Sequence, residues 1–126
     1  MTDLIEFIDQ FLRDIFEPYG VEVFYKDAEG EKVPFPYVVY TSESDPISRI
    51  REDFIFTVNI WGTSKEYQMQ DETSELIKKA VNNGTFISRC APMTIAVDFA
   101  GRGDIPVEDQ NIRLKEVRFR VRYYNM

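Results

Sequence analysis

The sequence predicts an α+β fold: two helices packed on a mostly antiparallel sheet of about five strands, in the order α-β-β-β-α-β-β. Three observations carry that expectation. Two stretches place apolar residues at helical spacing, and several shorter ones alternate apolar and polar at the period of two that a strand imposes. A chain of 126 residues also fits a single domain, 1–126, with one core.

Helix one is expected from Asp3 to Glu17. Leu4, Ile5, Phe7, Ile8, Phe11, Leu12, Ile15 and Phe16 fill about half its circumference, which suits a helix laid across a sheet. Thr2 or Asp3 is the expected N-cap, Asp3 with Glu6 resembles a capping box, Pro18 stops the helix and Gly20 releases the chain. Val21 to Tyr25 alternates as a short strand, and the charged stretch from Lys26 to Lys32, with Gly30, predicts a hairpin-like loop. Pro34 and Pro36 hold the next residues extended, so Tyr37 to Tyr40 reads as a strand. The polar stretch from Thr41 to Glu52 reads as a loop.

Phe54, Phe56, Val58 and Ile60 form one face of a strong strand, and Ile55, Thr57, Asn59 and Trp61 the other. Large residues on both faces predict a central strand, at least partly covered on both sides. Thr63 with Glu66 is a capping box for helix two, which runs to about Asn82 and ends at Asn83-Gly84. Met69, Thr73, Leu76, Ile77, Ala80 and Val81 share its apolar face, and Glu75 is spaced to pair with Lys79. Met93 to Phe99 alternates as a strand, Ala100 to Asn111 reads as a loop, and the last strand starts at Ile112. Its apolar parity shifts between Leu114 and Val117, which predicts a bulge near Lys115-Glu116.

Composition narrows the function. The chain is 44% hydrophobic and 29% charged, an ordinary globular balance, and 14% aromatic, which suits strands and interfaces. A net charge of -7 argues against general nucleic-acid binding. No apolar run is long enough for a membrane helix, and the start Met1-Thr2-Asp3 lacks the basic region of a signal peptide, so a reducing cytoplasm is expected. The single Cys90 excludes an intramolecular disulfide and is expected to be a partly buried apolar residue. Histidine is absent, which removes the commonest general base and metal ligand. No catalytic, cofactor-binding or metal-binding residues are assigned, and no enzyme activity is expected. Arg102-Gly103-Asp104 and the sequon Asn83-Gly84-Thr85 lack the secretory context that would give them meaning. Asp98, Asp104, Glu108 and Asp109 fit no calcium-loop spacing, and Asp98 with Glu116 shows no sign of an acid/base pair.

The closing strand is the most distinctive stretch. Arg118, Arg120 and Arg122 take one parity, and Phe119, Val121 and Tyr123 the other. A basic stripe on an acidic protein either meets carboxylates, faces solvent or contacts an anion such as nucleic acid. Aromatic residues and arginine are enriched in protein–protein contacts, and the acidic balance favours that reading.

Three features taken together resemble the tail terminator (tail completion) proteins of long-tailed bacteriophages. They are Phe35-Pro36-Tyr37-Val38-Val39-Tyr40, the strand from Phe54 to Gly62 running into a capped acidic helix, and the arginine-rich last strand. The resemblance implies an α+β subunit in a ring, typically a hexamer, that caps the tail tube, ends its growth and offers the head-joining surface. It implies a protein of the virion neck, present in host cytoplasm during assembly, without cofactor, membrane or small-molecule substrate. Its partners would be its own copies, the tail tube protein and the head–tail connector protein, with DNA only passing through the ring. In such a ring Arg118, Arg120, Arg122, Tyr124 and Trp61 are the candidate subunit or partner contacts, and an acidic helix face of the next subunit could receive the stripe. The stretches Lys26 to Lys32, Thr41 to Glu52 and Ala100 to Asn111 are candidate docking loops. Another neck component (a head-closure or adaptor protein), a small α+β ligand-binding domain and a nucleic-acid binder remain as alternatives.

Overall fold

The computed structural model describes residues 2–26, 35–82, 94–109 and 111–124. Helix α1 spans Thr2–Phe16 and a 3-10 turn follows at Glu17–Tyr19. Strands β1 (Glu22–Tyr25), β2 (Tyr37–Pro46) and β3 (Arg51–Thr63) come next. A 3-10 turn at Ser64–Glu66 leads into helix α2 (Tyr67–Asn82), and strands β4 (Thr94–Ile105) and β5 (Ile112–Tyr124) close the chain. The strands form one five-stranded sheet in the order β1-β2-β3-β5-β4. β1 and β2 are parallel and all other pairs antiparallel, so the α+β class and the element order match the sequence expectation.

Several expectations need correction. Parallel β1 and β2 cannot be joined by a hairpin, because a parallel neighbour requires a return crossover. The stretch from Thr41 to Glu52 is mostly strand: β2 and β3 stay paired to Pro46↔Glu52, leaving a turn of four residues, 47–50. Cross-strand hydrogen bonding holds these polar residues extended where their own composition suggests a loop. Likewise β4 runs to Ile105, through the first half of the predicted loop from Ala100 to Asn111. The register break lies between Phe99 and Gly101 on β4, not near Lys115-Glu116 on β5. β5 pairs without interruption from Ile112 to Tyr124, so the parity shift marks a polar residue, Lys115, on the buried face. Gly101 has φ 131°, a conformation that favours glycine at such a bulge. The expected caps at Thr2 and Asp3, the Asn83-Gly84 stop, Cys90 and most of the stretch from Lys26 to Lys32 lie outside the described residues and side chains.

The core lies between the helices and one face of the sheet. Leu4, Ile8, Leu12 and Phe16 recur at helical spacing on α1 and are fully buried. They meet the buried parity of the strands: Val23, Val38, Tyr40, Phe54, Phe56, Val58, Ile60, Val117, Phe119 and Val121. α2 buries Thr73, Ser74, Ile77 and Val81 together with Gln70. Leu76, expected inside, is 43% exposed. Among the described residues no helix covers the opposite parity of β3, and Ile55 is 40% exposed.

Polar groups fasten the two layers. The fully buried Tyr40 donates its hydroxyl to Asp9 Oδ1 at 2.7 Å, and Arg13 holds the other carboxylate oxygen of Asp9. Gln70 Nε2 donates to Ile60 O and Arg113 O, both at 2.9 Å, joining α2 to β3 and β5. Lys115 Nζ donates to Asp71 Oδ1 at 2.7 Å, so an ammonium on the covered face meets a helix carboxylate. Arg102 reaches Ser74 and Glu75, which takes Glu75 away from the expected pairing with Lys79. The guanidinium of Arg102 holds the Glu75 carboxyl below its ordinary range. At the start of α2, Lys65 N–H donates to Thr63 Oγ1 and the Thr63 hydroxyl donates to Glu66. The box therefore caps a 3-10 turn, and the α-helix proper begins at Tyr67.

Gly62 sits where this turn crosses the strand. A Cβ there would lie 2.9 Å from Glu66 Cβ, part of the turn itself. Gly62→Ala is expected to destabilise the fold by about 1–3 kcal/mol, the usual cost of overpacking. A urea titration checks this, and an unchanged midpoint contradicts it.

Burial, then the bond to Asp9, raises the Tyr40 hydroxyl well above the tyrosine range. The folded state therefore keeps its proton longer than the unfolded state. Its stabilisation is complete below the unfolded pKa of about 10 and is lost as pH rises beyond it. Tyr40→Phe should lower stability at pH 7 by about 0.5–1.5 kcal/mol and flatten the alkaline limb of a stability-against-pH curve. An equally steep limb in the variant counts against this assignment.

Candidate functional site

Strand period two sends every second residue to the face that the helices leave open. On β5 these residues are Leu114, Glu116, Arg118, Arg120, Arg122 and Tyr124. On β3 they are Arg51, Asp53, Ile55, Thr57, Asn59 and Trp61, each opposite a β5 residue of the same face. All five candidate contacts, Arg118, Arg120, Arg122, Tyr124 and Trp61, thus share one face. They do not form one spot. Trp61 lies opposite Leu114, four positions from Arg118, or about 13 Å along the strand at 3.3 Å per residue.

The Trp61 end is aromatic. Tyr37 and Trp61 face each other across β2 and β3, with ring centroids 6.1 Å apart and an interplanar angle of 15°. Phe35 stacks on the far side of Tyr37 at 5.5 Å. This three-ring ladder is partly exposed, with Phe35 at 37%.

The other end is charged, and its arginines have partners on their own sheet. Arg122 Nη2 lies 2.6 Å from Asp98 Oδ2, and Asp98 stands opposite Arg120 in register. Arg118 Nε lies 3.3 Å from Glu116 Oε1. Arg51 grips Asp53 with two bonds of 2.8 and 2.9 Å. That grip lowers the Asp53 pKa, aided by the fields of Arg120 and Arg122. Arg120 is exposed and has no ion pair among the described residues, and Arg122 Nε is buried without an acceptor. Asp98 and Glu116 thus serve different arginines and do not form an acid/base pair.

Several surface cavities are lined by described residues. One of about 250 Å³ is lined by Arg13, Glu17 and Glu22, and another of the same size by Asp104, Asp109 and Arg113. A groove of about 520 Å³ runs between α1 and α2, lined by Phe11, Asp14, Ile15, Pro18, Tyr19, Leu76 and Ala80. Among the described residues no three His, Cys, Asp or Glu side chains come together as metal ligands, and no helix is long and apolar enough to cross a membrane. Sequence reasoning missed Gln70, Lys115 and this groove. Lys115 alone left a signal, since it alternates in phase with Val117, Phe119 and Val121.

No protein-family model matches the chain, and no curated protein matches it. Among solved structures it is similar to a chain from the virion of a native gene transfer agent particle. The TM-score is 0.56 and the identity 12%, over 90% of this chain and 84% of that one. At that identity the likeness establishes a shared fold.

The ion pairs that Arg118 and Arg122 make on the open face are partly exposed, and exposed pairs contribute little to stability. Replacing Arg118, Arg120 and Arg122 singly by glutamine should change unfolding free energy by less than about 1 kcal/mol each. A larger loss in thermal or urea unfolding would make the stripe part of the fold rather than a free contact surface.

Proposed function

We propose that the protein is a structural component of a phage or prophage virion that assembles into a hexameric ring. In this reading the ring caps the tail tube, ends its elongation and presents the surface that joins the head. The observation that carries it is the open face of the sheet. A row of arginines and a ladder of three aromatic rings stand on a surface that no other described element covers. Sheet faces of this kind gain by meeting another surface, and arginine with aromatic residues is the composition of protein contacts. The fold likeness to a chain of a gene transfer agent virion supports a place in a virion. The residue patterns that resemble tail terminators support the finer assignment.

A structural rather than catalytic role is part of this reading. The partners in this reading are further copies of the chain, the tail tube protein and the head–tail connector protein. DNA only passes through. Phosphate contacts raise affinity steeply, and a conduit must let DNA slide. Asp98 and Glu116 already offset part of the stripe's charge, which favours a protein contact over a phosphate grip. A different neck component would use the same surfaces and is separated by its target, a filled head instead of a tail tube.

Light-scattering mass over a range of concentrations, alone and with isolated tail tubes, tests the proposal. A monomer that becomes a hexamer, with caps on tubes in electron micrographs, is expected. Arg120→Glu should abolish ring assembly while leaving the subunit folded. A monomer under every condition overturns the ring. Rings that survive Arg120→Glu while DNA delivery fails move the stripe to the channel.

A further inference from the structure

Exposed large apolar side chains of the described residues include two pairs, apart from Tyr67, Ile55, Ile105 and Phe35 elsewhere on the surface. Ile50 and Ile47, at 53% and 50% exposure, stand on the turn between β2 and β3. Leu76 and Tyr19, at 43% and 38%, line the groove between α1 and α2 with Ile15, Pro18 and Ala80. The first is convex and the second concave. The tip of the turn carries one cation and the groove is lined by one acid, Asp14, which accepts from Gln10 Nε2 at 2.7 Å, while Asp45 flanks the turn and Lys79 stands on α2. Arg49 sits between the two isoleucines, exposed and without an acid partner among the described residues. Asp14 lines the groove, and Glu17 and Glu72 stand exposed beside it, Glu72 accepting a hydrogen bond from the Tyr19 hydroxyl at 3.2 Å.

The turn is held in one shape. Ile47 N–H and Ser48 N–H both donate to Arg51 O at 3.1 Å, and Ile50 N–H donates to Ser48 Oγ at 3.3 Å. A preordered tip loses little conformational freedom on docking. On the β1 side it is unflanked, because β1 pairs with β2 only at Tyr37 to Tyr40. The turn lies at the end of the sheet that carries Arg120, Arg122 and Tyr124, where Arg51 stands opposite Tyr124.

We propose that the Ile47–Ile50 turn of one copy seats in the α1–α2 groove of a second copy, with Arg49 meeting the acids along that groove. This deepens the ring reading and rests on it. Turn and groove are unlike patches on different parts of the subunit. Such a contact runs head to tail and closes into a ring when the rotation per copy allows. Apolar burial supplies the attraction, and the charge pairing sets the register.

Two variants test the contact. One carries Ile47→Asp with Ile50→Asp and the other carries Leu76→Glu, all at exposed positions. Each alone should remain monomeric by light scattering where the unmodified protein assembles. Mixed in equal amounts they should form a one-to-one dimer and nothing larger, because one intact turn and one intact groove remain. Arg49→Glu should weaken association about tenfold, and Asp14→Arg added to it should restore it. Circular dichroism establishes that each variant is folded. Should an apolar-site variant unfold, the exposed charge pair alone decides. Variants that assemble like the unmodified protein, a mixture that stays monomeric, or no rescue by the charge swap overturns the contact and leaves the ring standing. An unmodified protein that never assembles, alone or on tubes, removes both.

Discussion

Phe119 lies edge-on to Phe11 at 6.4 Å and stacked on Phe56 at 5.4 Å. One ring thereby joins α1 to β3, the middle strand of the sheet, and to its neighbour β5. The other arrangements depend on this junction. It fixes which parity of each strand is inward, since moving one strand by a single residue would turn its whole apolar set to solvent. With β3 and β5 locked, β2 and β4 take their places on either side, and β1 pairs with β2 beneath α1. Buried aromatic pairs of this kind add stabilisation of about 0.5–1.5 kcal/mol beyond the area they hide.

Among the described residues one face of the sheet is covered and the other open, and the chemistry divides accordingly. On the covered side the polar groups are matched: Tyr40 with Asp9, Gln70 with two carbonyls, Lys115 with Asp71. An unmatched polar group there would be costly. On the open side matching is looser. Arg120 has no ion pair among the described residues, and Trp61 and Ile55 remain partly exposed. A surface that tolerates unpaired charge and bare rings has little to contribute to the fold. Its composition agrees with a role in contacts between molecules, which is how the proposed assembly uses it.

Much of this architecture is legible in the residue order. The half-cylinder of α1, the strand from Phe54 to Trp61 and the alternating arginines are strong periodic signals, and the structure keeps all three. Thr41 to Pro46 and Ala100 to Ile105 were illegible for a specific reason. Their residues favour loops, but each stretch lies beside a strongly formed strand whose hydrogen bonds hold it extended. Lys115 misled in another way. A lysine at an inward position resembles a break in the pattern unless its carboxylate partner, Asp71, 44 residues away, is known.

The sequence by itself determined the class of the fold, the faces of the strand from Phe54 to Trp61 and the clustering of three arginines on one face of the last strand. These follow from local geometry, 3.6 residues per helical turn and two per strand repeat. Only the tertiary structure decided that β1 and β2 run parallel, that the arginines have Asp98 and Glu116 as neighbours, and that Leu76 faces a groove instead of the core. Each of these depends on which distant segment comes to lie alongside. Packing of the whole chain selects that neighbour, and the periodicity of one segment carries no information about it.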